Sequence, residues 1–176
     1  MKHTAILIVI FWTTVHLSCG QVQNKQSEKV IYTPIGSKMT DIERLLDKTF
    51  PFVEGYLRDN GKFFPVASAV QTNDSIALVA AYDDNENPDP EKVIADLKKS
   101  LSANKDRYKA TAIFYDVTVP DPHTKVKTDA VAVFVESISE DTAFIFYYPY
   151  TLPGSKQFSF THNTWKIATT KEIFKD

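Results

Sequence analysis

The sequence predicts an α+β domain, an antiparallel sheet of five to six strands carrying two helices in the order α-β-β-α-β-β-β(-β). Three observations predict it. Runs rich in β-branched and aromatic residues recur at 63–70, 76–82, 108–119, 126–138 and 142–149, bounded by Asn, Asp and Pro. Two other stretches carry apolar residues at helical spacing behind a capping residue. Within the first pair and within the last three, the strands follow one another through short connections, and such sequential hairpins make the sheet antiparallel.

The first helix opens at Thr40, where Thr40 and Glu43 fit a capping box that satisfies two backbone donors at once. Ile42, Leu45, Leu46, Val53, Tyr56 and Leu57 form its apolar stripe. Pro51 either kinks this helix or begins its second half, and Asn60-Gly61 ends it. The first two strands are joined by Thr72-Asn73-Asp74-Ser75, a hairpin turn by composition. Pro65 sets the first strand's start near an edge or a bulge. Alanines at 67, 69, 77, 80 and 81 predict close approach of a helix.

Asp89 and Pro90 are an N-cap and a first helical residue, and Val93, Ile94, Leu97 and Leu101 are the inward stripe of the second helix. Lys98 and Lys99 lie in its C-terminal half, where the helix dipole favours cations. Of the strands that follow, the first two are joined by Pro120-Asp121-Pro122-His123-Thr124 and the next two by Ser139-Glu140-Asp141. Phe158-Ser159-Phe160-Thr161 alternates as a last strand would, and Trp165 and Ile167 fold back on the core. This order resembles the profilin-like and roadblock type of domain, which implies the strand order 2-1-5-4-3.

The N-terminus reads as a targeting segment. Lys2 and His3 precede an apolar run over 5–15, interrupted by Thr13 and Thr14 and too short to span a bilayer, and small residues follow. Residues 1–20 are therefore expected to be a signal peptide, the alternative being a retained N-terminal anchor. Ordinary cleavage falls after Gly20. His16-Leu17-Ser18-Cys19 also resembles a loose lipobox, with His16 where a strict one has leucine, and cleavage before Cys19 would leave that residue lipidated. Cys19 is the chain's one cysteine, placed where a lipid would go, which favours a lipid anchor over a disulfide. Residues 21–38 read as a polar tether and 39–176 as a single α+β domain.

With 43% hydrophobic and 24% charged residues the composition is that of a globular protein. Removing the leader takes away Lys2 and leaves 19 basic against 22 acidic residues, a net of −3, so nucleic acid is not an expected partner. Membrane contact is expected through a lipid anchor alone.

Several constellations are candidate sites. Asp83, Asn85, Asn87 and Asp89 alternate as calcium ligands do, but Pro88 stands where such a loop needs glycine and Ile94 where it needs glutamate. The reading is a solvated loop capping the second helix, with no metal site. Asp116 and Asp129 are acidic residues in apolar strands, and a turn centred near Pro122-His123 brings them together. Two adjacent carboxylates can share a proton, which raises one pKa and suits general acid or base work. The structural alternative is a pair of strand-end carboxylates facing solvent or capping loop amides. No Gly-x-Ser-x-Gly and no clustered glycines occur, so neither a nucleophile elbow nor a phosphate loop is present, and no cofactor is expected. Phe144, Phe146, Tyr147, Tyr148 and Tyr150 crowd one strand. Alternation sends Phe144, Phe146 and Tyr148 one way and Ile145 and Tyr147 the other. They fill the sheet core or, through Tyr147, Tyr148 and Tyr150, offer a binding face.

The stretch from Lys62-Phe63-Phe64-Pro65 to Ala80-Ala81-Tyr82-Asp83, with Ile113-Phe114-Tyr115-Asp116-Val117 and Lys127-Thr128-Asp129-Ala130, resembles a family of uncharacterised bacterial single-domain proteins with no established activity. The resemblance covers roughly residues 40–150. It implies a bacterial origin and one domain, and it transfers no catalytic residue. The export signal, the missing catalytic motif and the aromatic strand together predict an exported envelope protein, a non-enzymatic module of protein-binding, inhibitor or immunity type. The alternatives are a hydrolase-like enzyme using Asp116 and Asp129, or a structural lipoprotein.

Overall fold

The computed structural model describes residues 39–81, 87–152 and 158–175. The leader, Cys19, the tether, and Asp83 and Asn85 of the alternating polar loop lie outside them. Helix α1 is Asp41–Asn60 and helix α2 is Pro90–Ala103. The strands are β1 Val66–Gln71, β2 Ile76–Val79, β3 Tyr108–Pro120, β4 Lys127–Ser137, β5 Ala143–Thr151, β6 Ser159–Phe160 and β7 Trp165–Thr169.

Both helices begin where their caps dictate. Thr40 Oγ1 accepts the Glu43 amide while the Glu43 carboxylate accepts the Thr40 amide. Asp89 Oδ1 accepts the Glu91 amide, with Pro90 in the first turn. Gly61 closes α1 at φ +73°, a left-handed conformation that costs glycine little. The helix runs unbroken through Pro51, giving up one backbone donor there.

Every strand pairing is antiparallel, and the sheet order is β2-β1-β3-β4-β5-β6, with β7 also on β5. The α+β class holds. The order differs from the profilin-like 2-1-5-4-3, because β1 lies beside β3 where that arrangement would set it beside β5. Burial explains the difference. Residues Ala110 to Phe114 of β3 are buried on both faces, as a central strand must be, whereas Phe144 to Tyr148 of β5 are all partly exposed.

The sheet separates two cores. On one face Leu45, Phe50, Val53 and Leu57 of α1 pack on Val66, Val70, Phe114, Val131 and Val133. On the other, Val93, Leu97 and Leu101 of α2 pack on Ala67, Ala69, Ile113 and Phe134, with Ile173 of the C-terminal segment filling in beside them. The fully buried Ala67 and Ala69 are the small residues over which α2 closes down. At roughly 1.5–3 kcal/mol per large buried side chain, both cores are needed to offset the entropy of ordering the chain.

Two expectations are corrected. Tyr56 is 46% exposed and packs its ring against Phe52, and the inward position is taken by Phe50. Trp165 to Thr169 is a full strand, pairing with Ala143 to Tyr147 along the edge whose other half β6 occupies.

The C-terminal segment is held by a carboxylate. Glu136 is 1% exposed, and its two oxygens accept the amides of Glu172, Ile173 and Phe174 at 2.5–3.1 Å. Lys98 adds an ion pair to Glu172 at 2.7 Å.

Candidate functional site

Two groups of side chains stand out, one on each face of the sheet. The first is built on the α1 face by the β3–β4 hairpin. Its register is set by the turn in which the Asp121 amide donates to the Val126 carbonyl. Asp116 then lies opposite Val131, and Asp129 opposite Thr118. The two aspartates are diagonal neighbours, not directly opposed, and a shift of two residues leaves both on one face.

Each carboxylate takes a hydrogen bond from a hydroxyl. Tyr150 Oη donates to Asp116 Oδ1 at 2.8 Å, and Thr118 Oγ1 donates to Asp129 Oδ1 at 2.7 Å. Burial pushes the Asp116 carboxyl above its ordinary value. The Tyr150 hydrogen bond opposes that rise and the Asp129 charge adds to it. The Tyr150 phenol is raised in turn, chiefly by its own burial and then by Asp116.

Asp116 also lines a cleft of about 340 Å³ whose other walls are Lys62, Phe63, Phe64, Pro65, Asn87, Pro88 and Pro90. Its walls are mostly apolar rings, with the Asp116 carboxyl on one side and Lys62 and Asn87 as the other polar members. Among the described residues no group of three or more His, Cys, Asp or Glu is placed to hold a metal ion. Asp89, one of the alternating acidic residues, spends its carboxylate on capping α2. His123 lies in the β3–β4 turn, where its amide donates to Asp121 Oδ1 at 2.8 Å.

The aromatic strand divides as alternation requires. Phe144, Phe146, Tyr148 and Tyr150 join the α1 core and Ile145 joins the α2 core. Tyr150 is 5% exposed, so it offers no surface. Tyr148 packs edge-on against Phe50 at 4.6 Å, and burial pushes its phenol up to about 12.

Tyr147 stands apart, on the α2 face, and belongs to a row that crosses four strands. Tyr115 of β3 pairs with Ala132 of β4, Ala132 with Tyr147 of β5, and Tyr147 with Trp165 of β7. The rings of Tyr147 and Trp165 stack at 5.2 Å with 16° between their planes. Ala132, fully buried, is a small floor between Tyr115 and Tyr147. Tyr115 is pushed up to about 12, first by burial and then by the Tyr147 and Glu172 charges around it. The next residue outward on β7 in this face, Ile167, is 46% exposed. Helix α2 lies over β1 and β3, and the rings of Tyr147 and Trp165 remain partly open.

Sequence reasoning reached Asp116, Asp129 and Tyr147 but missed Tyr115 and Trp165 as members of this row. Finding Trp165 required reading Trp165-Lys166-Ile167-Ala168-Thr169 as a strand, for which its Trp, Ile and Thr were the available signal. Among the described residues no helix is long and apolar enough to cross a membrane. No protein-family model matches the chain, and neither a curated protein nor a solved structure matches it.

Proposed function

We propose that this protein is an exported, non-enzymatic module of the bacterial cell envelope, anchored through a lipid on Cys19, that binds another protein through the aromatic row on its α2 face. One observation carries the reading: the stacked, partly exposed pair Tyr147 and Trp165, set in line with Tyr115 and beside exposed Ile167. A rigid pair of large amphipathic rings supplies contact area at little entropic cost, which is why Tyr and Trp dominate binding hot spots. An inhibitor or immunity factor needs such a face and no catalytic group.

The test is capture from envelope extract and culture medium by the immobilised protein, followed by purification of the retained partner and titration against it. Trp165→Ala and Tyr147→Ala should each weaken that affinity by about tenfold or more at unchanged fold. A partner held equally well by both variants would rule this face out.

A second reading, a hydrolase-like enzyme, has the raised Asp116 carboxyl at the side of a cleft in its favour. Its test is a hydrolase substrate screen comparing wild type with the Asp116→Asn, Asp129→Asn double variant. Activity that disappears in the double variant would establish it.

A further inference from the structure

Strand β3 is longer than its neighbour on one side. It pairs with β4 along its whole length, from Ala110 opposite Ser137 to Pro120 opposite Lys127. It pairs with β1 only as far as Phe114, which lies opposite Val66. Among the described residues, 115–120 have a strand partner on one side only.

Which backbone groups face the open side follows from the ladder. The Asp121 amide donates to the Val126 carbonyl and the Ile138 amide to the Lys109 carbonyl, both at 2.9 Å. Hydrogen-bonded pairs alternate in an antiparallel ladder, and this register is unbroken between those two bonds. The odd residues of β3 therefore spend their amide and carbonyl on β4. The even residues 110, 112 and 114 turn theirs to β1, and beyond it Asp116 and Thr118 turn theirs outward. Pro120 offers a carbonyl alone. A proline blunts the tip of this edge, but among the described residues the outward amides and carbonyls of Asp116 and Thr118 have no backbone partner.

The cleft of about 340 Å³ lies against this edge, with Asp116 on its strand side and Phe63, Phe64, Pro65, Pro88 and Pro90 among its other walls. Phe64 is 45% exposed. We propose that the cleft receives an extended segment of a partner protein, which adds to β3 as a strand in line with β1, with a basic residue seated over Asp116 and Asp129.

The side-chain preference follows from the faces. Partner residues opposite Asp116 and Thr118 point to the α1 face, where both aspartates stand, so charge complementarity asks for lysine or arginine there. Lys62 stands on another wall and confines that preference to the strand side. The partner residue between them points to the other face, beside Val117, and is apolar. Main-chain bonds supply the affinity and these alternating side chains the selectivity. This surface is distinct from the Tyr147–Trp165 row, and either can fail without the other.

The test uses a fluorescent peptide of sequence Val-Lys-Val-Lys-Val with blocked ends, a copy N-methylated at both lysine amides, and a copy with glutamate for lysine. The expected result is saturable binding of the first peptide by the intact protein at roughly millimolar or lower concentration. The N-methylated and glutamate copies bind about tenfold weaker or more. Hydrogen exchange slows at the amides of Asp116 and Thr118 and is unchanged at Val117, which β4 already holds. Thr118→Pro, which removes one edge donor, abolishes binding. Asp116→Asn with Asp129→Asn erases the preference for lysine over glutamate while leaving the penalty of N-methylation in place. Equal binding of the N-methylated copy, protection elsewhere, or no saturable binding would overturn the proposal without touching the aromatic face.

Discussion

Tyr150 reaches across β4 to Asp116, its hydroxyl donating to the carboxylate at 2.8 Å, so that β5 and β3 are tied together two strands apart on the α1 face. Half-buried and raised above the ordinary value of 3.8, Asp116 binds its proton more tightly in the fold than in the open chain. Its contribution to stability is therefore present below pH 3.8 and is lost as the pH rises through the folded-state value. Asp116→Asn is expected to raise the melting temperature at neutral pH, and the gain should shrink as the pH is lowered. Thermal melts of both proteins from about pH 3 to pH 7 check this, and a constant difference would show that burial of the charge is not the cause.

Asp121 predicts the opposite sign. Its carboxylate accepts the amides of Thr124 and His123, each at 2.8 Å, and these bonds, Thr124's foremost, hold it below the usual carboxylate range. A depressed carboxyl contributes stability above its unfolded value and loses it as the pH falls through the folded one. Asp121→Asn should destabilise at neutral pH, with the cost fading in acid. The same pH series of melts reads both variants, and parallel behaviour of the two would contradict the assignment of at least one.

The elements were legible from local signals because local chemistry made them. Thr40 with Glu43 and Asp89 with Pro90 mark helix starts through bonds reaching no further than three residues. The alternation in β5 is likewise a property of the strand itself. The sheet order was not legible, because it depends on whether β3 or β5 is buried on both faces, and both are rich in aromatic and β-branched residues. The register of the β3–β4 hairpin was legible only to within two residues, since the turn is closed by Asp121 and Val126 and is not centred on Pro122-His123. The row Tyr115, Tyr147, Trp165 is assembled from three strands, and nothing local to any one of them points to the other two.

Glu136 is the residue whose loss should cost most. It is buried, and three consecutive amides donate to it. Gln at this position keeps one acceptor oxygen and turns a donor toward donors. Glu136→Gln is expected to cost about 2–4 kcal/mol, the range for lost charge-assisted bonds plus stranded amides. Urea denaturation measures the total. Faster hydrogen exchange at Glu172, Ile173 and Phe174 locates it. An unchanged exchange pattern there would mean that the segment is held by Ile173 and Lys98 instead.

Thr111 sits opposite Glu136 in the ladder, fully buried, and its hydroxyl has no hydrogen-bond partner among the described residues. Glu136 does not supply one, because both of its oxygens are turned to the amides of the C-terminal segment. A buried hydroxyl without a partner contributes only its desolvation cost, and valine has the same shape and a better strand propensity. Thr111→Val should therefore stabilise the protein by about 1 kcal/mol, read as a shift in the urea midpoint at constant slope. The gain depends on the carboxylate next to it. In the Glu136→Gln background the side-chain amide can turn its N–H to the Thr111 hydroxyl, which then has a partner to lose. The two substitutions should be non-additive, with the benefit of Thr111→Val reduced or reversed when Gln occupies position 136. Additive effects would show that the hydroxyl is silent toward residue 136 in either form.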